Sequence, residues 1–223
     1  YENRQSLSEE HHNHVLDLFR RYLLVGGLPD AVNTYLETHN IVKVREVQDG
    51  ICSLYASDAS KYEKEHNKKL LIRRIYEMIP SQMENKKKRV VVQKIRDKKG
   101  DRFDQYKEEF EYLISSGISL AVNAISLNDV GLLTGILYRN NIRPVLDDIR
   151  SINLGSVYEN VVAQELRAHG HKLYYYDNRK QGEVDYLVDN HTTMSAHPIE
   201  VKSGKDYTEH SALNNLLKVP EYN

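Results

Sequence analysis

The 223-residue sequence contains a single cysteine, Cys52, and no tryptophan. One thiol excludes a disulfide scaffold and a multi-cysteine zinc site, and it is compatible with a reducing cytosol. No apolar run approaches the roughly 18 to 20 residues needed to span a bilayer, and no signal peptide opens the chain. A cytoplasmic protein without a membrane partner is therefore expected. Charge of one sign is also missing: 31 Lys and Arg meet 32 Asp and Glu, for a net charge of −1. That balance argues against a wholesale nucleic-acid binder and directs attention to local charge. There is no G-x-x-x-x-G-K-[ST] loop, so these residues form no P-loop nucleotide site by themselves.

What is present is polar. Apolar residues make up 40% of the chain, 16 residues are tyrosine, and the mean hydropathy is −0.63. This describes a soluble, surface-rich protein, long enough for one large domain or two small ones with a real core. The chain starts at Tyr1 without a methionine and stops at Asn223 just after a predicted helix, so it reads as a piece of a longer protein.

Residues 12–37 read as two helices broken at Gly26-Gly27-Leu28-Pro29-Asp30, with Val15, Leu16, Phe19, Leu23 and Leu24 at helical spacing. The glycines stop the first helix and Pro29 suits the first turn of the second. His11, His12 and His14 read as a solvated helix start, because no carboxylate or cysteine sits near them at ligand spacing. A third helix covers about 44–62. Three helix candidates follow: Lys69–Ile79 closed by Pro80, a short Arg89–Ile95, and Phe103–Ser116 stopped by Gly117. Ile118–Ile125 reads as a strand. Three short helices and a strand make a winged-helix pattern, with residues missing between Ile125 and Leu127 where a wing hairpin is expected.

Lys86, Lys87, Lys88, Arg89, Lys94, Arg96, Lys98, Lys99 and Arg102 crowd the segment 86–102, opposed only by Asp97 and Asp101, for a local charge of +7. Phosphate backbones favour such a patch because neutralising phosphates releases counterions. The plainer alternative is a solvated loop on a protein-docking winged helix. The candidate recognition helix carries Asp104, Glu108, Glu109 and Glu111, which argues against deep major-groove reading.

The last third changes character to helix, three strands and helix. A helix from Ser156 to His169 precedes strands at Lys172–Tyr176, Glu183–Val188 and His197–Lys202, and a final helix covers about Thr208–Lys218. Glu183 and Asp185 flank Val184 and share a strand face, as Glu200 and Lys202 do about Val201. Acids in mid-strand are costly unless compensated, and magnesium compensates with carboxylate oxygens while keeping waters for chemistry. A lysine two residues from a ligand orients or deprotonates the attacking water. Glu159 lies on the inward stripe of its helix with Val162, Ala163 and Leu166. Each residue also has a plainer role. Ser156-x-x-Glu159 is a capping box, Glu183 and Asp185 make an exposed face, and Glu200 with Lys202 is an ordinary surface pair.

Taken together, residues 156–204 resemble the PD-(D/E)XK nuclease superfamily, in the arrangement of archaeal Holliday-junction resolvases and restriction endonucleases. The resemblance implies a mixed sheet flanked by helices and phosphodiester cleavage with Mg²⁺, an activity that many members have lost. It implies Asp185 and Glu200 as metal-binding acids, Lys202 as the catalytic lysine and Glu159 as the assisting acid. A wider resemblance rests on Arg21–Val32 (R-Y-L-L-V-G-G-L-P-D-A-V), Tyr55–Asp58, Leu127–Leu133, Tyr158–Leu166 and Gly182–Asp185. These segments are similar to the C-terminal region of a large prokaryotic family of AAA-type ATPases.

The implied fold class is mixed α+β: an N-terminal helical and winged-helix part, then a restriction-endonuclease-like α/β sheet domain. The boundaries are 1–43 for a helical connector, 44–130 for the winged helix and 131–223 for the nuclease-like domain, truncated at its C-terminus. ATP enters only through an N-terminal ATPase domain outside this chain, which would be a partner in cis; the residues leave oligomerisation open. Three functions follow from these readings: a Mg²⁺-dependent DNA phosphodiesterase, an inactive DNA-binding or regulatory module, and a protein-docking module.

Overall fold

The computed structural model describes residues 6–58, 66–84, 90–121, 125–147, 152, 154–178, 182–190, 195–203 and 208–219. The fold is mixed α+β: ten α-helices and two small antiparallel sheets among the described residues, with the helices concentrated in the N-terminal part.

Helix α1 (Glu9–Val25) begins at Ser8, whose side chain accepts from the His11 amide, with Glu9 and Glu10 favourably placed at the positive end of the helix. It ends at Gly26, whose φ of 75° suits a residue without a Cβ. Pro29 occupies the first turn of α2 (Pro29–Thr38), as the sequence predicts, and α3 (Ile41–Asp58) follows. Residues 59–62 of the expected third helix lie outside the described residues.

Helix α4 (His66–Met83) corrects the expected stop at Pro80: the helix runs through it for three more residues. Proline costs the bond to the preceding turn. The final turn is retained because Ile79 and Gln82 on either side of the proline are buried in the core. Of the expected Arg89–Ile95 helix, Arg89 lies outside the described residues, and the described part holds a single turn, α5 (Gln93–Arg96). Phe103–Tyr106 is a 3₁₀ turn leading into α6 (Lys107–Ser115), and Gly117 follows at φ 74°.

The expected single strand Ile118–Ile125 is instead a hairpin, with β1 (Ser119–Ala121) antiparallel to β2 (Ile125–Leu127) and Ser119 opposite Leu127. Ser126 is a regular member of that ladder, paired with Leu120.

Helix α7 (Val130–Tyr138) is buried from Val130 to Gly135 and was not legible as a helix from polarity, since it has no polar face. A further turn, α8 (Arg143–Leu146), leads towards α9 (Gly155–Ala168). The main core joins Leu23, Leu24, Ile72, Ile79, Tyr106, Leu113, Leu132, Leu133 and Val157, so α1, α4, α6, α7 and α9 share one interior.

The second sheet is β3 (Leu173–Asn178), β4 (Gly182–Asn190) and β5 (Ser195–Ile199), all antiparallel with β4 in the centre. Ala163 of α9 packs with Leu173, Tyr186 and Val188, while Leu216 of α10 (Ser211–Leu216) packs with Val184 and Leu187. Each face of the sheet is thus covered by one helix. Val184 and Leu187 are three residues apart yet share a cluster, which a regular strand forbids. The ladder explains this: Tyr174 pairs with Leu187 but Tyr176 with Val184, so β4 carries one extra residue, a bulge at Asp185–Tyr186. Bulges of this kind re-aim side chains.

Candidate functional site

The bulge sits at the acid expected to matter most. Asp185 is buried, at 8% exposure, and its Oδ2 accepts from the Val201 amide at 2.7 Å. Strand β5 ends at Ile199, so Glu200, Val201 and Lys202 lie just past the ladder rather than within a strand reaching Lys202. The last β4–β5 pair is Tyr186 with Ile199. One step beyond, the same register sets Asp185 opposite Glu200. Two like charges facing each other across strands repel, and the ladder stops there. The Asp185 carboxylate takes up the Val201 amide instead.

Glu200 is the more telling acid. Its side chain is only 9% exposed, and Oε1 lies 2.6 Å from Lys202 Nζ, on a side chain 36% exposed. Oε2 is fully buried and has no hydrogen-bond partner among the described residues. A buried carboxylate oxygen without a donor is expensive, because it has lost water and gained nothing in exchange. Lys202 therefore caps the site on the solvent side, over two buried acids.

Glu159 is part-buried in the first turns of α9. The hydroxyl of Tyr186 donates to its backbone carbonyl at 2.8 Å, tying α9 to β4. Burial, followed by the charges of Glu159 and Asp185, pushes the Tyr186 phenol well above its ordinary 10. Both carboxylates are thus within electrostatic reach of one hydroxyl. The capping-box reading of Ser156-x-x-Glu159 does not hold: α9 starts at Gly155 after Leu154, which puts Ser156 inside the helix, and among the described residues no side chain caps the helix and the buried Ser156 hydroxyl has no partner. Glu183, grouped with Asp185 in the sequence, is part-buried near the start of β4.

Among the described residues, no three His, Cys, Asp or Glu side chains gather as a metal-binding set. Magnesium does not require three: it is held by one or two carboxylates together with waters and substrate phosphates. Asp185 and Glu200 fit that demand, with the bare Oε2 of Glu200 as an acceptor that only a cation or a donor would satisfy.

Of the basic segment, Lys86, Lys87, Lys88 and Arg89 lie outside the described residues. Lys94, Arg96, Lys98, Lys99 and Arg102 are all exposed. The two opposing acids are both engaged: Asp97 pairs with Arg74 at 2.8 Å, and Asp101 accepts from the Tyr106 hydroxyl. Arg96 lies over the Tyr106 ring, 5.2 Å from its centroid. Exposed Phe103, stacked on Phe110, borders the patch.

A third constellation was missed in the sequence. Asp129, 2% exposed, accepts from the amides of Gly27 at 2.7 Å and Leu132 at 3.0 Å. Burial pushes its carboxyl up, against the pull of those amides. Nearby, buried Arg45 donates to the carbonyls of Leu24, Gly131 and Arg139 and to Gln48 and Thr134. Burial pushes its guanidinium down to about 10, still charged at neutral pH. Gln164 of α9 joins this centre to the sheet domain, accepting from the Val130 amide and donating to the Tyr22 hydroxyl. The signal available was the paired glycines, since a close backbone approach needs residues without a Cβ.

A family model described as Domain of unknown function (DUF8612) matches residues 16–134, more than half of the chain. The chain belongs to that family. A second model, Domain of unknown function (DUF4143), matches residues 154–222. No curated protein and no solved structure matches the chain. The DUF8612 match holds Gly27, Arg45, Gln48, Asp129 and Thr134 of the buried joint, and the DUF4143 match holds Glu159, Asp185, Glu200 and Lys202. No helix among the described residues is long and apolar enough to cross a membrane.

Proposed function

We propose that this chain is the DNA-binding, nuclease-like C-terminal region of an AAA-type ATPase, and that its last 70 or so residues form a PD-(D/E)XK-type phosphodiesterase site dependent on magnesium. The observation that carries this reading is the Glu200 carboxylate, nine-tenths buried with one oxygen bare and the other on Lys202. A helix lies on each face of the sheet, with Asp185 within the central strand and Glu200 just past the edge strand β5. This fits the helix–strand–strand–strand–helix part of that fold, although the three described strands are all antiparallel and not the mixed sheet the resemblance implies.

Asp185 and Glu200 would hold the ion, which when bound supplies charge neutralisation at the phosphate and a more acidic water. The protein groups do the rest. Lys202, at the solvent edge, orients the attacking water towards phosphorus and stabilises negative charge on the phosphate oxygens. Asp185 keeps its geometry through the Val201 amide. Glu159, held by the Tyr186 hydroxyl on its own carbonyl, adds negative charge behind the site. As the water oxygen bonds to phosphorus it releases a proton to solvent, the bridging P–O bond breaks, and the leaving oxygen takes up a proton from solvent.

In the same proposal, α4, α5 and α6 with the β1–β2 hairpin act as a winged helix, and the exposed cations from Lys94 to Arg102 lie along duplex backbone. Asp97 is paired with Arg74 from outside the segment, so one of its two acids is offset by an additional cation.

A second reading has an observation of its own. Asp185 has the Val201 amide and Glu200 has Lys202, so the acids act as structural polar pairing and the module binds DNA without cutting it. Plasmid nicking separates the two. Wild-type protein in Mg²⁺ should convert supercoiled to open-circular DNA, and Asp185→Asn and Lys202→Ala should each abolish this while retaining the wild-type circular dichroism spectrum. Equal residual cutting by all three proteins excludes the catalytic reading.

A further inference from the structure

In the proposed reaction Lys202 acts on a water, but its position gives it an earlier task. Glu200 Oε1 lies 2.6 Å from Lys202 Nζ, while Oε2 is buried without a partner. The ammonium is therefore the one cation that pairs with this carboxylate among the described residues. The geometry is asymmetric: the acid is 9% exposed and the lysine side chain 36%. The acid is fixed in the protein, and the lysine, on a flexible four-carbon stem, is free to move outward. The acid opposite, Asp185, is engaged by the Val201 amide at 2.7 Å and so is already aligned.

We propose that Lys202 is the resident counter-cation of Glu200, and that a divalent ion reaches the two acids only by displacing its ammonium. The proposal rests on the metal site of the preceding subsection. Its consequence is regulatory: Lys202 sets the concentration threshold at which metal binds. Without metal, the pair keeps a buried carboxylate from standing uncompensated, which protects the fold just past the end of β5. When metal enters, the ammonium leaves Glu200 and becomes available to water and phosphate, so metal binding and release of the catalytic amine are a single event. A lysine that sat beside the metal without contacting Glu200 would not have this linkage.

The test uses the full chain at constant pH and ionic strength, with MnCl₂ and MgCl₂ titrated by calorimetry into wild type, Lys202→Met and Lys202→Arg. Removing the competing charge should tighten Mn²⁺ binding roughly tenfold or more in Lys202→Met. The metal-free variant should also melt a few degrees lower than wild type, and metal should raise its Tm by more. Lys202→Arg keeps a cation at Glu200 and should stay near the wild-type affinity. Unchanged or weaker binding by Lys202→Met, with wild type still binding, overturns the displacement model and leaves the metal site standing. Equal tightening in Lys202→Arg also overturns it, because side-chain removal rather than charge would then be responsible. Absence of binding in all three proteins removes the metal site itself.

Discussion

The carboxylate of Asp129 closes on the amide of Gly27, 102 residues away in sequence, at 2.7 Å. This hydrogen bond joins the end of α1 to the start of α7, and the closeness of Asp129 explains why a glycine stands at position 26. A Cβ on Gly26 would lie 2.2 Å from Asp129 Oδ1, and φ there is +75°. A Cβ on Gly131 would lie 2.5 Å from the Val25 carbonyl.

Gly26→Ala should accordingly destabilise the chain by more than the ~1 kcal/mol of a positive-φ alanine, reaching ~2–4 kcal/mol when the clash is included. The urea midpoint measures it. A loss under about 0.5 kcal/mol would show that the joint yields easily.

Arg45→Met should cost ~2–5 kcal/mol, because the carbonyls of Leu24, Gly131 and Arg139 each lose a donor inside the protein. Arg45→Lys should rescue little, since one ammonium cannot reach acceptors spread around a planar fork. Equilibrium denaturation of both variants is the check, and full rescue by lysine would contradict the network.

Asp129 also gives a pH signature. Its folded carboxyl lies above the ordinary 3.8, chiefly through burial. Between 3.8 and the raised folded value the native state holds more protons than the unfolded chain, so its contribution to stability is present at acid pH and falls as pH rises through that interval. The stability difference between wild type and Asp129→Asn should therefore shrink as pH climbs from about 3.5 and then level off. A difference that grows with pH would mean that the Gly27 and Leu132 amides outweigh burial.

Reversing charge at Lys98, Lys99 and Arg102 together should weaken duplex DNA binding and lower the slope of log affinity against log salt by up to ~0.9 for each phosphate no longer neutralised. Fluorescence anisotropy across roughly 50 to 200 mM salt reads this directly. Unchanged affinity and slope would favour the docking-module alternative.

The sequence made some of this legible and concealed the rest for identifiable reasons. The break at Gly26–Pro29, the helix to Ser115 with Gly117 beyond it, and the helix–strand–strand–strand–helix order were readable because glycine, proline and period-2 patterning act locally. Helix α7 was not, because its residues are apolar on every side and carry no periodic contrast. Pro80 misled, since burial of Ile79 and Gln82 outweighs one lost backbone bond. The hairpin at 119–127 was hidden by strands of only three residues. At the candidate site, the acids and the lysine were readable from spacing. The bulge at Asp185–Tyr186, the end of β5 at Ile199 and the tether from Tyr186 to Glu159 depend on cross-strand register, which no local pattern encodes.

The proposed site would hold a divalent ion between Asp185 and Glu200. Anomalous diffraction from crystals grown in millimolar MnCl₂ tests it most directly. A manganese peak bonded to carboxylate oxygens of both residues is expected, with Lys202 Nζ moved away from Glu200 Oε1. A map with no peak there and the lysine still on the glutamate would contradict it.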